Sequence, residues 1–237
     1  MEAAPAIRPP MSDPAPNAEL MRSLARLVRG LSALFWGLPT ALVVCFYTVR
    51  VEGLKAFGVV PPMATTGLLL YGLWQMGAFQ KQERVWRAAL DRARILALIN
   101  FGLSPFLYWW YRVPGNTFFT LMVLLMVLNS LLFLASLNLM LQRLGAMLPE
   151  EALRLEIRQF TSLNLNLLLT TGLLTLVYVG LSRFADLPLY LQAVMLVLER
   201  GAFWFLVLLV LLPLAMTMAL LWKTKEVILE SVFSGKS

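Results

Sequence analysis

The sequence predicts an all-α fold, a polytopic integral membrane helical bundle with about six transmembrane helices. Hydrophobic residues make up 59% of the 237 residues and charged residues only 14%, whereas soluble domains are nearer half apolar and a quarter charged. The apolar residues form runs of about 18 or more, enough to cross about 30 Å of hydrocarbon as a helix. The alternation typical of transmembrane strands is absent. Backbone groups in lipid must bond within their own segment, so these runs are predicted to be helices.

The N-terminal region divides into two segments before the first span. Residues 1–18 are rich in Ala and Pro, which cannot build a core, and we expect them to be disordered. Residues 19–30 place Arg22, Arg26 and Arg29 on one helical face, which predicts a basic amphipathic helix lying on lipid headgroups. The apolar run that follows is too long for a signal peptide and lacks a small-residue cleavage site, so we expect an uncleaved first span.

Six spans follow from the apolar runs, within a transmembrane domain of residues 31–222. Ser104-Pro105 and Pro213 predict kinks inside two of them. The apolar stretch 187–222 would be about 54 Å long as one helix, so we divide it at Glu199-Arg200 into an outer interfacial helix near 187–198 and a last span. The predicted spans are residues 31–49, 58–79, 95–111, 118–141, 163–181 and 202–222.

The segments between the spans carry most of the charge. Residues 80–94 are predicted to be a charged helix that continues from the second span, and residues 149–162 a helix beginning at Pro149-Glu150-Glu151. Residues 223–237 form a C-terminal tail. The linkers resemble one another, which leaves open whether three hairpins are repeats or only what any six-span protein shows.

Basic residues set the expected orientation. With both termini in the cytoplasm, fifteen of the twenty Lys and Arg residues lie inside and five outside, as the positive-inside rule favours. We therefore expect an integral protein of a plasma membrane, the bacterial inner membrane, with the lipid bilayer as its first partner. The net charge of +7 lies beside apolar spans, so nucleic acid is not an expected partner.

Composition also excludes many chemistries. The chain has no His and one Cys, Cys45, which excludes His-ligated haem, His metal sites and Ser-His or Cys-His dyads. No P-loop, HExxH, CxxC or GxSxG motif occurs. The sequence therefore predicts no enzyme, no cofactor and no metal site.

Polar residues within the predicted spans are the candidate functional residues, because polar groups in hydrocarbon are costly. They could line a cavity for a polar solute, but hydrogen bonding between helices is the favoured interpretation. Asn129 and Asn138 need not face the same partner. Glu199-Arg200 could be a proton or substrate site, but a boundary pair at the outer surface is favoured. The intramembrane candidates are Gln75, Asn100, Asn129, Asn138, Asn164 and Asn166.

Three functions are compatible with this pattern. A non-catalytic subunit or scaffold, packing against membrane-protein partners or against its own copies, is the leading hypothesis. A small channel or permease with an Asn-lined path is the alternative. An intramembrane lipid-modifying enzyme is the third, weakened by the missing His and missing clustered acids.

Overall fold

The computed structural model describes residues 14–50, 56–79, 83–147, 151–181 and 210–230, which are helical apart from short turns and contain no strand. The all-α prediction is therefore confirmed for these ranges. Residues 210–230 are helical and are called the C-terminal helical segment below. The other helices are α1 (Pro14–Arg50), α2 (Val60–Met76), α3 (Arg84–Leu103), α4 (Pro105–Arg112), α5 (Thr117–Ala146) and α6 (Glu151–Leu181).

Three of these helices contain stretches long and apolar enough to cross a membrane. The stretches are Met21–Arg50, Thr117–Ala146 and Arg154–Val177. The 17 residues of α2 reach only about 25 Å at the helical rise, and the third predicted span is divided between α3 and α4. The described ranges thus hold three candidate spans where the sequence predicts six.

One continuous helix, α1, contains both the predicted amphipathic helix and the predicted first span. It begins at Pro14, so the last residues of the predicted disordered tail are helical, and residues 1–13 lie outside the described ranges. Its buried face packs on α2, where Gly30 and Gly72 let the backbones approach. A Cβ on Gly30 would lie 2.6 Å from the carbonyl oxygen of Gly72, so small residues are required at this crossing.

Residues 84–94 of the linker predicted at 80–94 belong to the following helix, and the predicted continuity with the second span is wrong. Helix α2 ends at Met76, and α3 begins at Arg84 and runs on into the third predicted span. The Arg94 guanidinium donates to the carbonyl oxygens of Leu73 and Trp74 at 3.2–3.4 Å. The last carbonyl groups of a helix have no donor within the helix. Because Arg94 supplies donors to these carbonyls, it stabilises the end of α2 at this position.

The kink predicted at Ser104-Pro105 falls where the helix is interrupted, since α3 ends at Leu103 and α4 begins at Pro105. Proline has no amide hydrogen, so the carbonyl of Phe101 lacks its usual donor four residues later. The Ser104 hydroxyl donates to that carbonyl at 2.8 Å. The neighbouring serine therefore repairs the backbone bond that Pro105 removes.

Helices α5 and α6 form an antiparallel hairpin, on which the C-terminal helical segment packs. Gly145 lies against the side chain of Ile157, and Glu156 pairs with Lys223. The linker predicted at 149–162 is helical from Glu151 and continuous with the fifth predicted span. The predicted outer helix at 187–198 and the start of the last predicted span lie outside the described residues.

A single apolar core joins these elements. It includes side chains from α1, α2, α3, α5, α6 and the C-terminal helical segment, and the rings of Phe35 and Trp222 meet at 5.5 Å between centroids. Within hydrocarbon, such contacts stabilise a helix bundle through van der Waals packing rather than through removal of apolar surface from water.

Candidate functional site

The most buried polar contact joins three helices at one level. Asn138 of α5 and Asn164 of α6 each donate from Nδ2 to the Thr217 hydroxyl oxygen at 3.0 Å. All three residues have 0% exposed surface. We call this group the Asn–Thr node.

The local sequence around Pro213 shapes this node. The Thr217 hydroxyl donates to the Pro213 carbonyl one turn earlier at 2.8 Å, and Asn164 Nδ2 donates to the same carbonyl at 3.2 Å. Thr217 was not a sequence candidate, because a lone threonine in a span usually bonds only to its own helix. Its spacing of four residues from a proline was the available signal.

The node leaves two acceptors unused. Asn138 Nδ2 also donates to the Leu134 carbonyl at 2.8 Å, but the Oδ1 atoms of Asn138 and Asn164 have no hydrogen-bond partner in the structure. Each amide is oriented with its Nδ2 group toward the neighbouring carbonyl oxygens, because those oxygens can only accept hydrogen bonds. The Asn–Thr node therefore links the helices by hydrogen bonds, although two of its acceptor atoms stay unpaired.

A second polar contact joins α3 to α5. Asn129 Nδ2 donates to the Leu96 carbonyl at 2.8 Å, and the Ser130 hydroxyl lies 3.2 Å from Asn100 Oδ1. Both asparagines are buried. Asn129 and Asn138 face different helices, as the sequence allowed.

The remaining candidates behave differently. Gln75 donates to the Tyr71 hydroxyl of its own helix at 2.7 Å. Asn166 is exposed, and the Thr170 hydroxyl donates to its backbone carbonyl at 2.9 Å. The structure thus brings Asn138 and Asn164 together on Thr217. Asn100 and Asn129 take part in two separate bonds between α3 and α5, while Gln75 and Asn166 stand apart. Glu199 and Arg200 lie outside the described residues.

A cavity of about 160 Å³ lies where α2 ends beside α3. Arg94 pairs with Asp91 at 3.1 Å across one side of it. The Trp86 side chain has 0% exposed surface, and its indole Nε1 has no hydrogen-bond acceptor. The lining residues are Gly77, Trp86, Arg87, Leu90, Asp91 and Arg94.

Among the residues that the structure describes, no group of three or more Cys, Asp and Glu side chains could hold a metal ion. No family model matches this chain, and neither the curated proteins nor the solved structures contain a match.

Proposed function

We propose that this protein is a non-catalytic integral membrane subunit that packs against a second membrane-protein chain through the outer face of α6. The observation that carries the proposal is the position of Asn166. This residue is exposed and lies at the middle of the apolar stretch Arg154–Val177. An amide facing hydrocarbon at that depth is costly unless another chain supplies hydrogen-bond partners.

Asn166 is part of a narrow polar stripe. Ser162, Asn166 and Thr170 are exposed and recur every four residues, which places them on one face of the helix. Apolar side chains border the stripe, with Leu163 58% and Leu169 75% exposed. A polar line within an apolar face is typical of surfaces through which transmembrane helices associate.

The proposed setting is a bundle of six spans with both termini in the cytoplasm, in a bacterial inner membrane. Support comes from the three candidate spans, and α2, the α3–α4 pair and the C-terminal helical segment are the further elements from which the other spans would be built. Labelling of single cysteines placed in residues 80–82 and 148–150, from each side of sealed vesicles, tests this orientation.

The alternative functions have less support. Asn100, Asn129, Asn138 and Asn164 bond to neighbouring helices or their side chains. None of them lines the cavity beside α2 and α3, so they do not form an Asn-lined path there. A metal-dependent lipid-modifying enzyme would need a cluster of metal ligands, and the described residues contain no group of three or more Cys, Asp and Glu side chains that could hold a metal ion.

The test is site-specific photocrosslinking in native membranes, with a photoreactive amino acid at position 166. Leu132 of α5, which is 59% exposed, provides a control position on another apolar surface. We expect a discrete protein adduct from position 166, whose mass identifies a second copy or a different chain, and only lipid adducts from position 132. The substitution Asn166→Leu should weaken the adduct formed from position 170.

Two results would contradict the proposal. An adduct from position 166 that links only to residues of the same chain would show that α6 is covered within the molecule. Solute flux through liposomes holding the purified protein alone would favour the permease.

A further inference from the structure

Helix α6 carries a regular line of exposed residues along one side. Its members follow one another at alternating steps of four and three residues, which is the spacing of the a and d positions of a heptad. The central members are all exposed, and they are Gln159, Ser162, Asn166, Leu169, Leu173 and Leu176. Leu155 and Gly180, also exposed, continue the spacing at the two ends. We call this line the α6 seam.

The opposite side of α6 packs within the molecule. Its buried residues follow the same alternation, displaced by about half a turn around the helix axis. They are Ile157, Thr161, Asn164, Leu168 and Thr171. Ile157 contacts Gly145 of α5, and Asn164 belongs to the Asn–Thr node. The α6 seam is therefore the side of the helix that the described bundle leaves exposed.

The α6 seam is long enough for a pair of membrane-spanning helices. From Leu155 to Gly180 it extends about 38 Å at the helical rise, compared with about 30 Å of hydrocarbon. An a and d spacing kept over more than three heptads is typical of helices that pair with a left-handed crossing. Helix pairs in membranes commonly take this geometry.

The amides of the α6 seam determine which partner fits it. Leu169 is 75% and Leu173 62% exposed, but lipid tails are as apolar as leucine, so these residues alone need no protein partner. Gln159 and Asn166 lie one heptad apart on the same seam. Asn166 is at the middle of the apolar stretch Arg154–Val177, where lipid offers neither a donor nor an acceptor.

A second copy of the chain supplies what Asn166 needs. Two copies inserted in the same orientation have parallel α6 helices, and a two-fold axis along the membrane normal places each seam residue opposite its own equivalent at equal depth. A carboxamide has both donors and an acceptor, so each Asn166 can donate from Nδ2 to Oδ1 of the other. Asparagine at one a position also fixes the register of parallel helix pairs. A different chain would need a polar group of its own at this depth.

We propose that two copies of this protein associate through parallel α6 helices, with the α6 seam at the interface and the two Asn166 side chains paired across the two-fold axis. This inference rests on the proposed function, since it names the chain that packs on α6. It goes further in predicting which positions of α6 face the second copy.

Oxidative crosslinking of single cysteines in native membranes tests the geometry. The parent variant is C45A, which removes the native cysteine. The seam variants are S162C, L169C, L173C and L176C. L174C is the matched control, because Leu174 is 42% exposed and adjoins the seam but occupies a b position, which faces away from a parallel partner.

The seam variants are expected to form crosslinked dimers, whereas L174C should give about a tenth of their yield or less, because its side chains lie on the far sides of the two helices. Dimers from both S162C and L176C require parallel helices, since antiparallel helices bring a residue and its equivalent together at one level only. Equal yields from L173C and L174C, or no dimer from any seam variant, would overturn the α6 seam as the interface.

The dissociation constant of the dimer in mild detergent tests the amide pair. It is measured by energy transfer between copies labelled with donor and acceptor fluorophores. N166L removes two hydrogen bonds, and at their average strength between transmembrane helices the dimer should weaken about eightfold. N166Q keeps an amide and should stay within about threefold of the wild type. Equal constants for the wild type and N166L would overturn the pairing of Asn166.

Further outcomes separate this inference from the proposed function. A photocrosslinked adduct between position 166 and a different chain would overturn the dimer and leave the proposed function standing. The absence of any protein adduct from position 166 would contradict both. The cysteine variants keep Asn166, so they decide the interface even if N166L does not fold.

Discussion

Replacing Thr217 with Val removes one hydroxyl group and nearly preserves the side-chain shape. In the Asn–Thr node this hydroxyl accepts one bond from Asn138 and one from Asn164, each at 3.0 Å. Both amides keep another bond, to the carbonyls of Leu134 and Pro213. The substitution therefore removes two interhelical bonds and leaves each amide in place.

The expected loss follows from those two bonds. Side-chain hydrogen bonds between transmembrane helices contribute about 0.6 kcal/mol on average and at most about 1.7 kcal/mol. Two of them give a decrease in the free energy of unfolding of about 1.2 to 3.4 kcal/mol for T217V. The upper half of this range is favoured, because Asn138, Asn164 and Thr217 are fully buried and the freed N–H groups find no water.

Thr66→Val is the matched control. Thr66 is also buried, at 4% exposure, but its hydroxyl bonds only to the Pro62 and Met63 carbonyls of its own helix. We expect T66V to lower the free energy of unfolding by less than about 0.5 kcal/mol, since no interhelical bond is lost. Unfolding in mixed micelles with increasing SDS, followed by far-UV circular dichroism, measures both variants.

Equal stability of T217V and T66V would refute the reasoning, because the node would then contribute nothing to helix association. A double-mutant cycle of T217V with N138L gives a sharper test. If the two positions interact as described, the cycle yields a coupling energy of at least about 0.5 kcal/mol. Additive effects would show that Thr217 and Asn138 stabilise the bundle independently.

Four further variants, in two pairs, test the backbone features of the fold by the same unfolding measurement. G30A should destabilise the protein by about 1–3 kcal/mol through overpacking, because the added Cβ would meet the Gly72 carbonyl at 2.6 Å. G102A is its control and should be neutral or stabilising, since the added Cβ meets nothing within 4 Å. Equal effects of G30A and G102A would contradict the close crossing of α1 and α2. S104A should lower the free energy of unfolding by about 1 kcal/mol, because it removes the bond from the Ser104 hydroxyl to the Phe101 carbonyl. Adding P105A should restore this stability, since an alanine at position 105 supplies an amide donor for the same carbonyl. If P105A restores nothing, the Ser104 hydroxyl does not replace the missing backbone bond.

Helix positions could be predicted where the signal is local. Pro149-Glu150-Glu151 predicts a helix N-terminus, and α6 begins at Glu151. Ser104-Pro105 predicts a kink, and the helix is interrupted there. At Ser104-Pro105 the deciding atoms lie within one helical turn, so that the sequence window contains the whole interaction.

The end of α2 could not be predicted in this way. The apolar run and the charged segment after it are compatible with one long helix, and the sequence interpretation joined them. The atoms that satisfy the end of α2 come from Arg94, about 20 residues further along the chain. A cap supplied by the next helix exists only once the two helices have packed, so no local pattern could indicate it.

Asn164 and Asn166 show most clearly where the sequence interpretation ends. They are two residues apart on α6, about 200° apart around the helix axis, and at almost the same depth. One is fully buried and the other is exposed. Both are asparagines in the same apolar run, so neither composition nor hydropathy separates them. Only the rotation of α6 about its axis does.

Contacts far from both asparagines fix that rotation. The side chain of Ile157 fills the space over Gly145, and Glu156 pairs with Lys223. One side of α6 therefore contacts α5 and the C-terminal helical segment. Turning Asn166 inward would break these contacts and the Asn–Thr node together. Asn166 therefore cannot be satisfied by the helices that satisfy Asn164. An amide that faces hydrocarbon without such a partner is costly, and this cost supports the proposal that α6 associates with another chain.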